Sequence, residues 1–127
     1  MTDRELLELA AKAAGIEYNP ERSKPHPISG AFFGLWLVFH DEPSEYARRY
    51  FNPLRDDGDA LRLAVKLGFD VCIDTRIERN PDTQVIGFIG DGADTFDVIE
   101  SHGDPYAATR RAIVRAAAAL AKQEVKR

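Results

Sequence analysis

Hydrophobic positions first recur at helical spacing near the start of the chain. Apolar residues repeat every three or four positions, at Leu6, Leu9, Ala10 and Ala13. Thr2 and Glu5 have the spacing of a capping box, in which each side chain accepts a hydrogen bond from the other residue's amide. Gly15 follows, where a helix commonly ends in a left-handed residue. The pattern predicts a helix over residues 3–14.

A second helical pattern follows a cluster of aspartates. Apolar residues recur at Ala60, Leu63, Ala64 and Leu67. The opposite face is predicted to carry Asp59, Arg62 and Lys66. Asn52-Pro53 disfavours a helix at Asn52, whereas Asp56 or Asp57 is well placed to cap one. We therefore predict a helix that begins at these aspartates and stops at Gly68.

The third helical pattern closes the chain. Asp104 is predicted to cap it and Pro105 to occupy its first position, where the missing amide costs nothing. The helix should run to about Lys122. Its inward positions are predicted to be Tyr106, Ile113, Ala117 and Leu120.

Alternating apolar and polar residues predict the strands. They fall at 28–40, 69–77, 83–90 and 95–100, with short polar turns between the last three. The strand over 69–77 should be half-buried. The strand over 28–40 is apolar on both faces and is expected to bend near Gly30 or Gly34. Residues 17–27 contain three prolines and are predicted to be loop, and residues 41–50 fit either a short helix or an irregular return.

The element order is helix, strand, helix, three strands, helix. This order predicts an α+β fold, with a small antiparallel sheet of about four strands and three helices packed on it. A length of 127 residues suits one domain with its own core. We therefore treat residues 1–127 as a single α+β domain with loop-rich segments at 17–27 and 41–55.

Composition limits the kinds of partner and the cellular compartment that are expected for the protein. The net charge is −4 and the pI is about 5.4, so no overall attraction to nucleic acid or to anionic lipid is expected. Cys72 is the only cysteine, which precludes an intrachain disulfide and favours a reducing compartment. The longest apolar run, residues 31–39, is about half of what spans a bilayer. The acidic N-terminus lacks the pattern of a signal peptide. These features predict a soluble, cytoplasmic protein that is not bound to a membrane.

The aspartate cluster raises the question of a metal site. A calcium loop that began at Asp56 would need a bidentate glutamate at its twelfth position, but Leu67 stands there. Capping and the helix dipole explain Asp56, Asp57 and Asp59 without an ion. The three histidines lack metal-ligand spacing and no serine lies in a nucleophile elbow. We predict no cofactor and no catalytic residues, and a small metal-dependent enzyme is the third hypothesis.

Nucleic-acid binding is the second hypothesis. Residues 57–123 follow the helix, three-strand, helix order of double-stranded-RNA-binding domains. Arg110, Arg111 and Arg115 on the last helix are the candidate nucleic-acid face. The acidic loop 90–94 and the aspartates near residue 57 argue against this hypothesis.

Protein binding is the first hypothesis. Phe32, Trp36 and Val38 share one face of the predicted strand and form a candidate partner surface. The alternative is that they pack under the N-terminal helix. The alanines at 116–119 permit close helix approach, which would serve a core or a homodimer equally.

Several segments resemble a known group of proteins. Asn52-Pro53-Leu54, residues 56–67, residues 108–120 and residues 1–16 resemble elements of small phage and prophage proteins, which are distantly similar to the NinX-like proteins of temperate phages. The resemblance covers about half of the chain. The segment 17–50 is longer than the family pattern, and Phe51 stands where tryptophan is usual. Because the family has no assigned activity, the resemblance implies only a context: an accessory protein of a mobile genetic element, inside a bacterial host, that binds a host or phage protein.

Overall fold

The computed structural model describes residues 1–40, 49–74, 82–89, 94–101 and 104–125. Within these ranges, three helices and six strands follow one another in the order helix, three strands, helix, three strands, helix. They are α1 (Asp3–Ala14), β1 (Tyr18–Asn19), β2 (Leu35–Leu37), β3 (Tyr50–Phe51), α2 (Asp57–Leu67), β4 (Asp70–Asp74), β5 (Asp82–Ile89), β6 (Asp94–Ser101) and α3 (Pro105–Val125). The predicted α+β class is confirmed.

The helices begin and end at the residues that the capping signals mark. The Thr2 hydroxyl accepts from the Glu5 amide at 3.1 Å, and the Thr2 amide donates to the Glu5 carboxylate at 3.3 Å. Asp56 caps α2 by accepting from the Asp59 amide at 2.9 Å. Asp104 accepts from the Tyr106 amide at 3.0 Å at the start of α3. Local hydrogen bonds of this kind depend on neighbours in sequence, so the helix positions could be predicted.

Strands β4, β5 and β6 form an antiparallel sheet in that order, which confirms the predicted meander. Val85 and Thr83 of β5 are fully buried on the face that α3 covers. The prediction that the strand after α2 is half-buried is wrong, since Val71 is 37% and Ile73 is 52% exposed. The reason is position: β4 is an outer strand, and α3 packs mainly on β5 and β6. Residues 75–77 of the predicted strand lie outside the described residues.

A second antiparallel sheet is the main departure from prediction. Its order is β1-β2-β3, so the described residues form two three-stranded sheets and not one sheet of about four strands. The predicted strand over 28–40 is only three residues long in the described structure, because Gly30 and Gly34 have φ of 71° and 123° and interrupt the extended backbone. The segments predicted to be loop-rich, 17–27 and 41–55, supply β1 and β3. Residues 41–48 lie outside the described part of the chain.

One hydrophobic cluster joins the two sheets and the three helices. Helix α3 lies at its centre, against α1, α2, β5 and β6. Small buried side chains on α3 allow this close packing, at Ala112, Ala116, Ala117 and Ala121. Leu35 and Phe51 bring the inner face of the first sheet into the same cluster. Tyr106, which was predicted to face inward, is 67% exposed, because it lies in the first turn of α3 at the margin of this core.

Candidate functional site

The outer face of the first sheet carries a tryptophan. Leu35 and Leu37 point from β2 into the core, so Trp36 between them points outward. Trp36 lies opposite Asn19 on β1 and Tyr50 on β3. Its amide donates to the buried hydroxyl of Ser23 at 2.8 Å. The backbone of Trp36 is therefore fixed while its half-buried ring lies outside the core.

Aromatic rings and arginines surround this tryptophan. Tyr50 meets the Trp36 ring edge-on, with centroids 5.2 Å apart, and Phe33 lies 5.8 Å from Tyr50. The guanidinium groups of Arg22 and Arg49 lie 5.1 Å and 5.7 Å from the Trp36 centroid, within the range of a cation–π contact. Arg49 also lies 5.1 Å from the Phe39 centroid. We refer to Arg22, Phe33, Trp36, Phe39, Arg49 and Tyr50 as the Trp36 face.

The Trp36 face is largely accessible to solvent. Phe33 is 64% exposed, whereas Phe39 and Tyr50 are each 37% exposed, and both arginines are exposed. Rings that contact one another at the surface lose little mobility on binding and present a large apolar area. Tryptophan, tyrosine and arginine are also the residues most enriched at the energetic centres of protein interfaces.

The structure separates the three residues of the predicted partner surface. Trp36 lies on the Trp36 face, and Val38 is 41% exposed two residues along the chain. Phe32 instead packs against the hydrophobic core. The glycine at position 34 causes the difference, because its φ of 123° ends the alternation of side chains that the sequence pattern assumed. Phe33, on the opposite face in the predicted strand, joins Tyr50 instead.

Sequence reasoning missed Arg22, Arg49 and Tyr50. Arg22 lies in a proline-rich segment that has no periodicity, and the other two lie in the segment 41–50, whose pattern indicates no single secondary structure. Their proximity depends on pairing between strands that are far apart in sequence. No local signal could have brought them together.

Each carboxylate of the aspartate cluster (Asp56, Asp57 and Asp59) has a partner within the protein. Asp56 caps α2, and Asp57 pairs with Arg110 at 2.7 Å. Asp59, predicted to lie on the exposed face of α2, is only 6% exposed, and this prediction is wrong. The cause is that its carboxylate accepts from the Asn52 amide at 3.0 Å and from Arg62 at 2.8 Å. Within the described ranges, no group of three or more histidine, cysteine, aspartate or glutamate side chains could hold a metal ion.

The three arginines of the candidate nucleic-acid face are engaged in ion pairs. Arg110 also donates to the Leu54 carbonyl at 2.9 Å. Arg111 bridges Asp3 and Glu100, each at 3.3 Å. Arg115 pairs with Glu100 at 3.1 Å. These pairs neutralise much of the positive charge that a phosphate backbone would need.

A cleft of about 760 Å³ adjoins the Trp36 face and shares Phe33, Arg49 and Tyr50 with it. Asn52 also lines the cleft and is 8% exposed. Its Oδ1 has no hydrogen-bond partner among the described residues, but that atom is itself buried, so a ligand in the cleft does not reach it. The cleft therefore extends the Trp36 face without forming a built ligand site.

A second groove, of about 590 Å³, lies between α2, β4 and α3. Its lining is mainly apolar and includes Leu61, Ile73 and Tyr106. The two charged residues in the lining, Asp57 and Arg110, pair with each other. No feature of this groove selects a particular partner.

Tyr18 lies on the inner side of the first sheet and packs against the core. Burial raises the pKa of its phenol above the ordinary value. Glu8 raises this pKa further, whereas Arg4 lowers it. The shift disfavours the charged phenolate form.

Comparisons of the chain with protein-family models, with curated proteins and with solved structures found no match. Among the helices that the structure describes, none is both long enough and apolar enough to cross a membrane.

Proposed function

We propose that this protein is a non-enzymatic binding module that docks on another protein through the Trp36 face. The observation that carries the proposal is the position of Trp36. Its large ring lies outside the core, in contact with Tyr50 and with two arginines, on a face that remains accessible. Such a surface matches the composition and geometry of interface hot spots.

The supporting scaffold is rigid where the docking surface is built. The Ser23 hydroxyl accepts from the Trp36 amide and donates to the Asn19 carbonyl at 2.6 Å, so it links β1 to β2. Leu35 and Phe51 hold β2 and β3 to the core from behind. A surface that is ordered before binding loses less conformational entropy when a partner arrives.

The resemblance to phage and prophage proteins supports a setting for this function. We propose that the protein is an accessory protein of a phage or prophage, acts in the cytoplasm of the bacterial host and binds a host or phage protein there. Neither a cofactor nor a reaction is part of this proposal.

The experiment is affinity capture from a lysate of the bacterial host, with matched variants. Trp36→Ala is expected to fold and to lose the captured protein, because the ring lies outside the hydrophobic cluster. Tyr106→Ala is the control, since Tyr106 is 67% exposed on α3 and lies outside the Trp36 face. Circular dichroism and thermal unfolding check that each variant is folded.

Two results would contradict the proposal. A Trp36→Ala protein that fails to fold would show that the ring belongs to the core. A folded Trp36→Ala protein that still retains the same captured protein would show that docking uses another surface.

A further inference from the structure

The two arginines of the Trp36 face differ from most other arginines in the described part of the chain, which form ion pairs. Ion pairs with carboxylates are formed by Arg4, Arg62, Arg110, Arg111 and Arg115. Arg22 and Arg49 form no ion pair in the described part of the chain, and the guanidinium group of each lies beside an aromatic ring.

Two carboxylates near these arginines in the sequence have partners of their own among the described residues. Glu21 adjoins Arg22 but pairs with Lys24 at 2.9 Å. The Glu17 carboxylate forms a hydrogen bond with His40 Nε2 at 2.8 Å. The six residues of the Trp36 face include two arginines and no carboxylate, on a chain whose net charge is −4.

Proximity to the rings suits the guanidinium groups for a particular kind of contact. A guanidinium whose face contacts a ring keeps its N–H donors at its edge, where they match the two oxygens of a carboxylate. Because the rings already hold Arg22 and Arg49, less side-chain entropy is lost when such a pair forms.

We propose that the protein partner presents an acidic segment to the Trp36 face. Its carboxylates pair with Arg22 and Arg49, and an apolar side chain beside them packs on Phe33 and Tyr50. This inference rests on the protein-binding function proposed above and names the chemistry of the partner.

The same surface chemistry is used by proteins that bind single-stranded nucleic acid, but the charge distribution favours an acidic protein segment. A nucleic-acid strand needs a positive groove that follows successive phosphates along the backbone. The Trp36 face offers two cations, which suffice for a pair of carboxylates.

The test uses the fluorescence of Trp36, which is the only tryptophan in the chain and thus reports on this surface alone. The probes are random copolymers of glutamate with tyrosine and of lysine with tyrosine, and oligothymidylate. Excitation is set at a wavelength that tyrosine does not absorb. We expect a saturable, salt-sensitive change with the glutamate copolymer and none with the lysine copolymer.

Two double variants distinguish the effect of charge on the Trp36 face from the effect of the net charge of the protein. Changing both Arg22→Gln and Arg49→Gln should weaken binding of the glutamate copolymer about tenfold, as the loss of two surface ion pairs would. Changing both Lys12→Gln and Lys122→Gln removes the same net charge from other faces and should leave the affinity unchanged. Circular dichroism confirms that both double variants fold.

Several outcomes would overturn the inference. They are no response to the glutamate copolymer, an equal response in both double variants, or stronger binding of the lysine copolymer or of oligothymidylate. If host-protein capture still requires Trp36, the protein-binding function stands and only the acidic partner is refuted. If capture does not require Trp36, the proposed function fails independently of the titration.

Discussion

At the scale of single residues, Asp59 and Asn52 connect the two parts of the domain. The Asp59 carboxylate accepts from the Asn52 amide, and the Asn52 side chain donates to the Phe33 carbonyl at 3.2 Å. The Asn52 carbonyl in turn accepts from the amides of Arg55 and Asp56. These bonds join α2 to the segment that leads into β2.

Replacing Asp59 with alanine should destabilise the fold by about 2 kcal/mol, the usual effect of losing a hydrogen bond to a charged group. The Asn52 amide would then be left buried without its acceptor. Urea unfolding monitored by circular dichroism measures the change in the free energy of unfolding.

Asp57→Ala is the matched control for this prediction. The Asp57 side chain is 63% exposed and its ion pair with Arg110 lies at the surface, so the loss should be about 1 kcal/mol or less. Equal losses in the two variants would show that the buried bonds of Asp59 add nothing beyond those of a surface carboxylate.

Capping at this junction could be predicted from the sequence, whereas the burial of Asp59 could not. Asp56 meets an amide three residues away, which spacing alone reveals. Asp59 is buried because β3 ends against the start of α2, and that contact is tertiary. A helical pattern places Asp59 on the polar face and contains no information about the strand beside it.

At the scale of elements, two glycines set the length of β2. Gly34 lies so close to β3 that a side-chain Cβ there would stand 2.6 Å from the Phe51 carbonyl oxygen. Gly30 has a positive φ too, but a Cβ at that position would meet nothing within 4 Å. An alanine at Gly30 would therefore add backbone strain alone, whereas an alanine at Gly34 would add both backbone strain and a steric clash.

Gly30→Ala and Gly34→Ala should lower the free energy of unfolding by different amounts. Gly30→Ala should cost about 1–2 kcal/mol, the strain of a left-handed conformation. Gly34→Ala should cost about 3 kcal/mol or more, because the strand pair must also separate. Thermal and urea unfolding measure both. Similar losses would mean that β2 and β3 are not as closely paired as described.

The helices could be predicted from sequence and the first sheet could not, for a physical reason. Each helix has its cap and its apolar repeat within one continuous segment. Strands β1 and β3 are two residues long and exist only through pairing with β2. The partners are far apart along the chain, so neither strand has an alternating pattern long enough to recognise.

At the scale of the whole molecule, residues 57–125 repeat the order of a double-stranded-RNA-binding domain. Helix α3 packs on β5 and β6, and α2 packs beside α3. Order alone does not confer binding, because phosphate contacts require available cations. Here the three arginines of α3 pair with Asp3, Asp57 and Glu100.

We therefore expect no salt-sensitive band shift when the unmodified protein is mixed with double-stranded RNA at low ionic strength. An electrophoretic mobility assay across a range of protein concentrations checks this. A shift that disappears in a variant with Arg110, Arg111 and Arg115 changed to glutamine would restore the nucleic-acid hypothesis.

The acidic residues at the two ends of β4 affect how copies of the protein behave when concentrated. If two copies paired antiparallel along the full length of this outer strand, Asp70 of each copy would stand opposite Asp74 of the other. Like charges directly across a strand pair repel, and charged residues on outer strands hinder edge-to-edge pairing of sheets. Antiparallel pairing of two copies along β4 would therefore bring like charges together, which disfavours polymerisation through this sheet edge.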